Sequence, residues 1–221
     1  MRRLVFVILL ASCLLATLAF VQKGSIPIAK ASPDVYQGDL ILNGNNVTVV
    51  ENRRFDINGS IIVEENATLI LRNAVLNFTQ VRLYQFNMTF QNPYNGNPRF
   101  IVENATISYN NYPLRIFCRE SLASLNDLTT PQGVFMFPTS SNVSILDSYI
   151  AHMNAGDSIV DASNSSIGEF IADSDSNVNM FNCTIWSRLQ AQENSQVDIL
   201  NSTVSAGADV VQYVYSTNCS I

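Results

Sequence analysis

Along most of the chain, apolar residues recur at every second position in short runs, and each run ends in a polar turn. Three stretches align without a gap: Ile61 to Leu76 (IIVEENATLILRNAVL), Phe170 to Ile185 (FIADSDSNVNMFNCTI) and Leu189 to Val204 (LQAQENSQVDILNSTV). Their shared frame is an apolar start, a polar turn, two alternating apolar residues, then Asn, a small residue, any residue, and an aliphatic one. Alternation of this kind predicts strands with one buried and one outward face. Weaker copies of the frame end at Ile107, Ile150, Ile167 and Ile221.

The Asn position is held by Asn73, Asn104, Asp147, Asn164, Asn182, Asn201 and Asn218, and the next by Ala74, Ala105, Ser148, Ser165, Cys183, Ser202 and Cys219. From Asp147 onward the spacings are 17, 18, 19 and 17 residues. A period near eighteen, with no room for a helix, predicts one coil of an all-β parallel solenoid. Stacking coils about 4.8 Å apart turns each repeated position into a ladder along the axis. Val178 and Val197 should then lie side by side on neighbouring parallel strands. The small residue reads as an inward corner, and the Asn before it as a buried structural ladder that tolerates left-handed backbone.

At these residues the sequence resembles the right-handed parallel β-helix superfamily, the pectate-lyase-like and NosD-like proteins, and more closely the β-helical surface proteins of archaea. The resemblance covers most of Asp39 to Ile221. It implies architecture but little chemistry, since the superfamily includes lyases, hydrolases, adhesins and inert scaffolds. No catalytic signature of the superfamily is present to carry over.

Ahead of the repeats, Met1-Arg2-Arg3 precedes an uncharged run from Leu4 to Val21. A basic start followed by an apolar helix predicts export, with everything after about Gln22 outside. Residues 1–31 then form either a signal peptide, cleaved after Ala29-Lys30-Ala31, or an uncleaved membrane anchor. Leu10-Ala11-Ser12-Cys13 leaves an acylated cysteine as a third reading. The β-helix is assigned to 32–221, with insertions near 80–95 and 110–138 where the period breaks. Excursions of this kind often carry a solenoid's binding surface.

Beyond Ala31 there is no lysine, and eight arginines face eighteen acidic residues. An acidic chain excludes nucleic acid as a partner, and the missing lysines exclude lysine base or Schiff-base chemistry. Eleven Asn-x-Ser/Thr sequons suggest a glycoprotein. Those outside the stacked Asn frame, Asn46, Asn58, Asn66, Asn77, Asn87 and Asn142, are the candidate glycan carriers. Cys183 and Cys219 share a ladder position two coils apart, about 9.6 Å, too far for a disulfide.

Two chemical alternatives remain. Asp161 and Asp198 share an outward ladder position two coils apart, near the spacing of an inverting glycosidase pair. Asp173-Ser174-Asp175-Ser176-Asn177 opens like a calcium loop but has Val178 and Thr184 where glycine and glutamate are needed. No zinc spacing, phosphate loop or Ser/His/Asp set occurs, no cofactor is expected, and His152 reads as a surface residue. The expected function is an extracellular scaffold, adhesion or carbohydrate-binding protein, meeting surface glycans or envelope proteins, and the membrane if the leader is retained. A polysaccharide lyase or inverting hydrolase is the alternative. The frame stops at Ile221, so further coils or a second subunit are expected to cover that end.

Overall fold

A computed structural model describes residues 35–205 except 110–111 and 132, together with the backbone of the strand Val214–Thr217. The apolar leader, Asn218 and Cys219 lie outside the described residues. Among the described residues no helix is long and apolar enough to cross a membrane.

Every strand pairs in parallel with the equivalent strand one coil away, giving an 11-stranded and a 9-stranded sheet wound as one β-solenoid. Each coil of the C-terminal half has three faces. The first is one regular strand per coil: Asn142–Leu146, Ile159–Ser163, Asn177–Phe181 and Gln196–Leu200. A short second face holds residues 149–150, 166–167, 184–185 and 203–204, and the third holds residues 152–156, 169–173 and 188–191. In register, Val143, Val160, Val178 and Val197 form one buried column, and Ile150, Ile167, Ile185 and Val204 another. Val178 pairs with Val197 as the alternation predicts. Each such fully buried aliphatic side chain contributes about 1.5–3 kcal/mol.

Two corners per coil are built from left-handed residues. Asn73, Asn104, Asp147, Asn164, Asn182 and Asn201 have φ between 45° and 54°, and Asn52 and Asp127 share this conformation. The second corner uses Glu120, Ser140, Asp157 and Ser174, with φ of 48° to 50°. Small buried residues follow most corner residues directly, Ser148, Ser165, Cys183 and Ser202 on the first corner and Ser121, Ser141 and Ser158 on the second, while Ser176 follows Ser174 after the left-handed Asp175. The expected burial of the Asn ladder is corrected here. Asn73, Asn104, Asp147, Asn164, Asn182 and Asn201 all point outward and are exposed, because a left-handed turn throws the side chain off the coil while its successor points in.

The buried hydroxyls close the backbone at these corners. Ser158 Oγ donates to Gly156 O at 2.8 Å and accepts the Ser141 N–H of the preceding coil at 3.1 Å. Ser176 Oγ accepts the Ser158 N–H at 3.2 Å, and Ser141 Oγ accepts the Ser121 N–H at 3.1 Å. The first corner repeats the pattern, with Ser148 N–H donating to Ser165 Oγ and Cys183 N–H to Ser202 Oγ.

The stretches set apart as insertions each contain regular strands. Asn87–Gln91 lies in the 9-stranded sheet, as do Arg115–Arg119 and Phe135–Thr139, and Leu122–Thr129 lies in the other. Among the described residues the excursions shrink to 79–86, 112–114, 130–131 and 133–134.

Ser158→Ala should destabilise the protein by about 1–3 kcal/mol, since it strands the buried Ser141 N–H. Ser144→Ala, on the outer surface, should stay within about 0.5 kcal/mol of wild type. Urea unfolding measures both, and equal effects would contradict the ladder's role.

Cys118 and Cys183 are buried free thiols, and burial pushes both upward, Cys118 to about 12. At pH 8 Cys118 therefore stays a thiol. Iodoacetamide should leave the Cys118 peptide unmodified in native protein and alkylate it in urea, read by mass spectrometry; ready native labelling would contradict the burial.

Candidate functional site

Outward side chains on a parallel solenoid stack into columns one strand spacing apart, so any chemistry repeated at one position becomes a surface stripe. On the third face one column runs Asn87, Arg115, Phe135, His152, Glu169 and Arg188. The column beside it includes Thr89, Phe117 and Phe137. Period-two alternation puts them there: Arg115-x-Phe117-x-Arg119 and Phe135-x-Phe137 alternate with Ile116, Cys118 and Met136, which are buried.

These residues pack on one another in the open. The Phe117 and Phe137 rings stack at 5.3 Å and 21°. His152 lies 5.4 Å from Phe135 and 5.8 Å from Phe137. The Arg115 guanidinium stands 4.2 Å from the Tyr84 ring centroid and 5.5 Å from that of Phe117, while that of Arg119 lies 5.6 Å from the Phe117 centroid. Arg115 Nε donates to Asn87 Oδ1 at 3.0 Å. Tyr84 comes from the excursion 79–86, which is pinned by the buried Gln80 donating to Tyr112 O, and holds a left-handed φ of 53°. A bulky residue adopts that conformation only when its surroundings fix it.

The charges divide into two groups. Glu169 accepts from His152 Nδ1 at 2.9 Å and from Arg188 at 3.3 Å, so this carboxylate is matched. Among the described residues Arg115 and Arg119 have no carboxylate partner and are held only by ring faces and Asn87. Phe117, Phe135, Phe137, Tyr84 and His152 are half-buried, and Arg119 is exposed. The result is an aromatic platform with two guanidinium groups that no carboxylate neutralises, on an otherwise acidic molecule. Aromatic faces stack on the C–H side of a sugar ring, and guanidinium forks take carboxylate or sulfate oxygens.

Apart from Asn87, the sequence-derived candidates lie elsewhere. Asp161, Asn179 and Asp198 share one outward column on the first face, in a groove of about 360 Å³ also lined by Phe181 and Leu200. Asn179 Nδ2 donates to Asp161 at 2.8 Å and Gln196 Nε2 to Asp198 at 3.0 Å, so each carboxylate already has an amide partner. Asp173 ends the strand before the corner residue Ser174 while Asp175 and Asn177 follow it, both exposed, and no group of three His, Cys, Asp or Glu able to hold a metal occurs among the described residues. Of the sequons, Asn46, Asn66 and Asn142 are exposed, and Asn58 and Asn87 are half-buried. Asn77 is corrected as a glycan carrier: it is 9% exposed and its Nδ2 donates to Asp56 at 2.5 Å, leaving no room for a sugar on that nitrogen.

Tyr84, Arg115, Phe117, Arg119, Phe135 and Phe137 all lie within the stretches 80–95 and 110–138 that the broken period sets apart, but the two-residue spacing of Arg115, Phe117, Phe135 and Phe137 marks strands rather than excursions. No protein-family model, curated protein or solved structure matches this chain.

A double-mutant cycle on Arg115→Ala and Tyr84→Leu should give a coupling of about 0.5–1 kcal/mol, the size of a partly exposed cation–π contact. Strict additivity of the two changes in chemical unfolding would contradict the contact.

Proposed function

We propose that this chain is an exported, surface-displayed β-solenoid that binds carbohydrate without cleaving it, through the aromatic and arginine surface of its third face. The observation that carries the reading is the clustering of Phe117, Phe137, Tyr84, Arg115 and Arg119 on one flat face. A glycan bearing carboxylate or sulfate groups suits it: the sugar stacks on the rings and the acidic group meets the arginines. Rings and guanidinium groups held by their neighbours lose little freedom on binding, which favours affinity.

The basic start and apolar run of residues 1–31 support export, with the segment either removed or kept as a membrane anchor. N-glycosylation belongs to the same reading, at Asn46, Asn58, Asn66, Asn87 and Asn142. So does membership of the pectate-lyase-like and NosD-like β-helix superfamily, in the manner of archaeal surface proteins. Envelope glycans or envelope proteins are the proposed partners, with adhesion or scaffolding as the outcome.

One observation favours a second reading. Asp161 and Asp198 line the same groove, and their two-coil separation, about 9.6 Å, sits at the long end of inverting carboxylate pairs. In that case Asp161→Asn and Asp198→Asn would each abolish release of reducing ends from a polysaccharide.

On a glycan array the protein should retain acidic saccharides, and Arg115→Gln with Arg119→Gln should weaken that retention by at least roughly tenfold. Raised salt should weaken it too. Retention that is indifferent to both substitutions, or turnover of the bound polysaccharide, would overturn the proposal.

A further inference from the structure

We infer that the second face carries a separate site for a neutral oligosaccharide, built around Trp186. It shares no residue with the third-face surface and does not depend on that surface binding anything.

The indole is placed by a change of register. Ile185 pairs with Ile167, yet Arg188 pairs with Glu169, so Trp186 and Ser187 span the length that Gly168 alone spans on the neighbouring coil. Such a bulge adds one residue and re-aims a side chain. Gly168 itself has no room for a side chain, since a Cβ would stand 2.2 Å from Ala151 O. From the bulge the indole reaches back across the neighbouring coil, where its N–H donates to Ser166 Oγ. Ser166 pairs with Tyr149 on the coil beyond, so two aromatic side chains flank it.

Both rings are open to solvent, Trp186 at 57% and Tyr149 at 37% exposed. They border a groove of about 740 Å³ whose other lining residues mostly carry amides and hydroxyls, Asn164, Asn182, Ser166 and Thr184 among them, beside the apolar Leu128 and Pro131. Nothing in the stacking of coils requires an exposed tryptophan here. The core is satisfied by Ile185 and Ile167 beneath, and the corresponding positions are Gly168 and Ala151.

The lining selects the occupant. A pyranose offers an apolar C–H face to the indole and hydroxyl groups to the side-chain amides, which donate and accept. Asn182 Nδ2 donates to Asn164 Oδ1 at 2.8 Å, which leaves the Asn164 N–H groups and the Asn182 carbonyl oxygen facing the groove, and an apolar peptide would cover that remaining capacity without matching it. The one charged residue bordering the groove is Asp147, a carboxylate, which disfavours acidic sugars. The second and third faces therefore differ in the charge of the saccharide they accept.

Trp186 is the only tryptophan in the chain, so its fluorescence reports this groove alone. Protein produced without glycosylation, which removes any sugar attached at Asn164 or Asn182, is titrated with cellohexaose, mannohexaose, xylohexaose and a galacturonic acid hexamer. The expected result is a blue shift and reduced acrylamide quenching with at least one neutral hexamer and not with the acidic one. Tyr149→Ala should weaken that response about tenfold, and Trp186→Phe should weaken the same binding in calorimetry. Arg115→Gln with Arg119→Gln should leave it unchanged. The site is overturned if no neutral hexamer alters the emission, if the response survives Tyr149→Ala, or if the Arg115 and Arg119 changes abolish it.

Discussion

The structure depends on how a corner N–H is satisfied. A coil that turns through a left-handed residue points the next N–H along the solenoid axis. The partner found there is the hydroxyl of the equivalent serine one coil on, as with Ser141 and Ser158. A buried N–H without a partner costs about 1–3 kcal/mol, and a solenoid repeats that cost at every coil. The same hydroxyl donates back to a carbonyl of its own coil, Gly156 O for Ser158. Each serine thus ties two coils and fixes its own turn. Cys183 shows what the position demands: small, buried, and its sulfur directed at Phe181 O within its own coil.

Flat faces follow from fixed corners. With the turns set by backbone and serine, the strands between them need only bury alternate residues, and the outward positions are left unconstrained by the core. Each face can then hold its own chemistry at little cost to folding. The first carries Asp161, Asn179 and Asp198, the second amides and hydroxyls beside Trp186, and the third phenyl rings with Arg115 and Arg119. The acidic composition averages over these faces and conceals a local arginine cluster.

Much of this architecture was legible because a parallel stack makes one coil's pattern every coil's pattern. Alternation at Val178, Met180, Val197 and Ile199 reveals register without any knowledge of the turns. The Asn position revealed the first corner, because Asn and Asp enter left-handed backbone most readily. Asp127 does not match the frame, because its successor is Leu128 rather than a small residue. The second corner was seen only as a polar turn, since Glu120, Ser140, Asp157 and Ser174 share a conformation but no chemistry. The direction of the Asn side chains could not be read, because a left-handed residue breaks the alternation that tells in from out. The third-face platform shows in the sequence only as stretches where the period breaks. Phe117 and Phe137 are twenty residues apart and meet only through the register of their strands.

The corner claim is tested most directly by amide hydrogen exchange resolved by NMR. The account predicts that the N–H groups of Ser141, Ser148 and Ser158 exchange as slowly as those of Val143, Val160 and Val178 in the adjoining strands. Exchange of the serine amides at the rate of Val81 and Leu83 in the exposed excursion would contradict it.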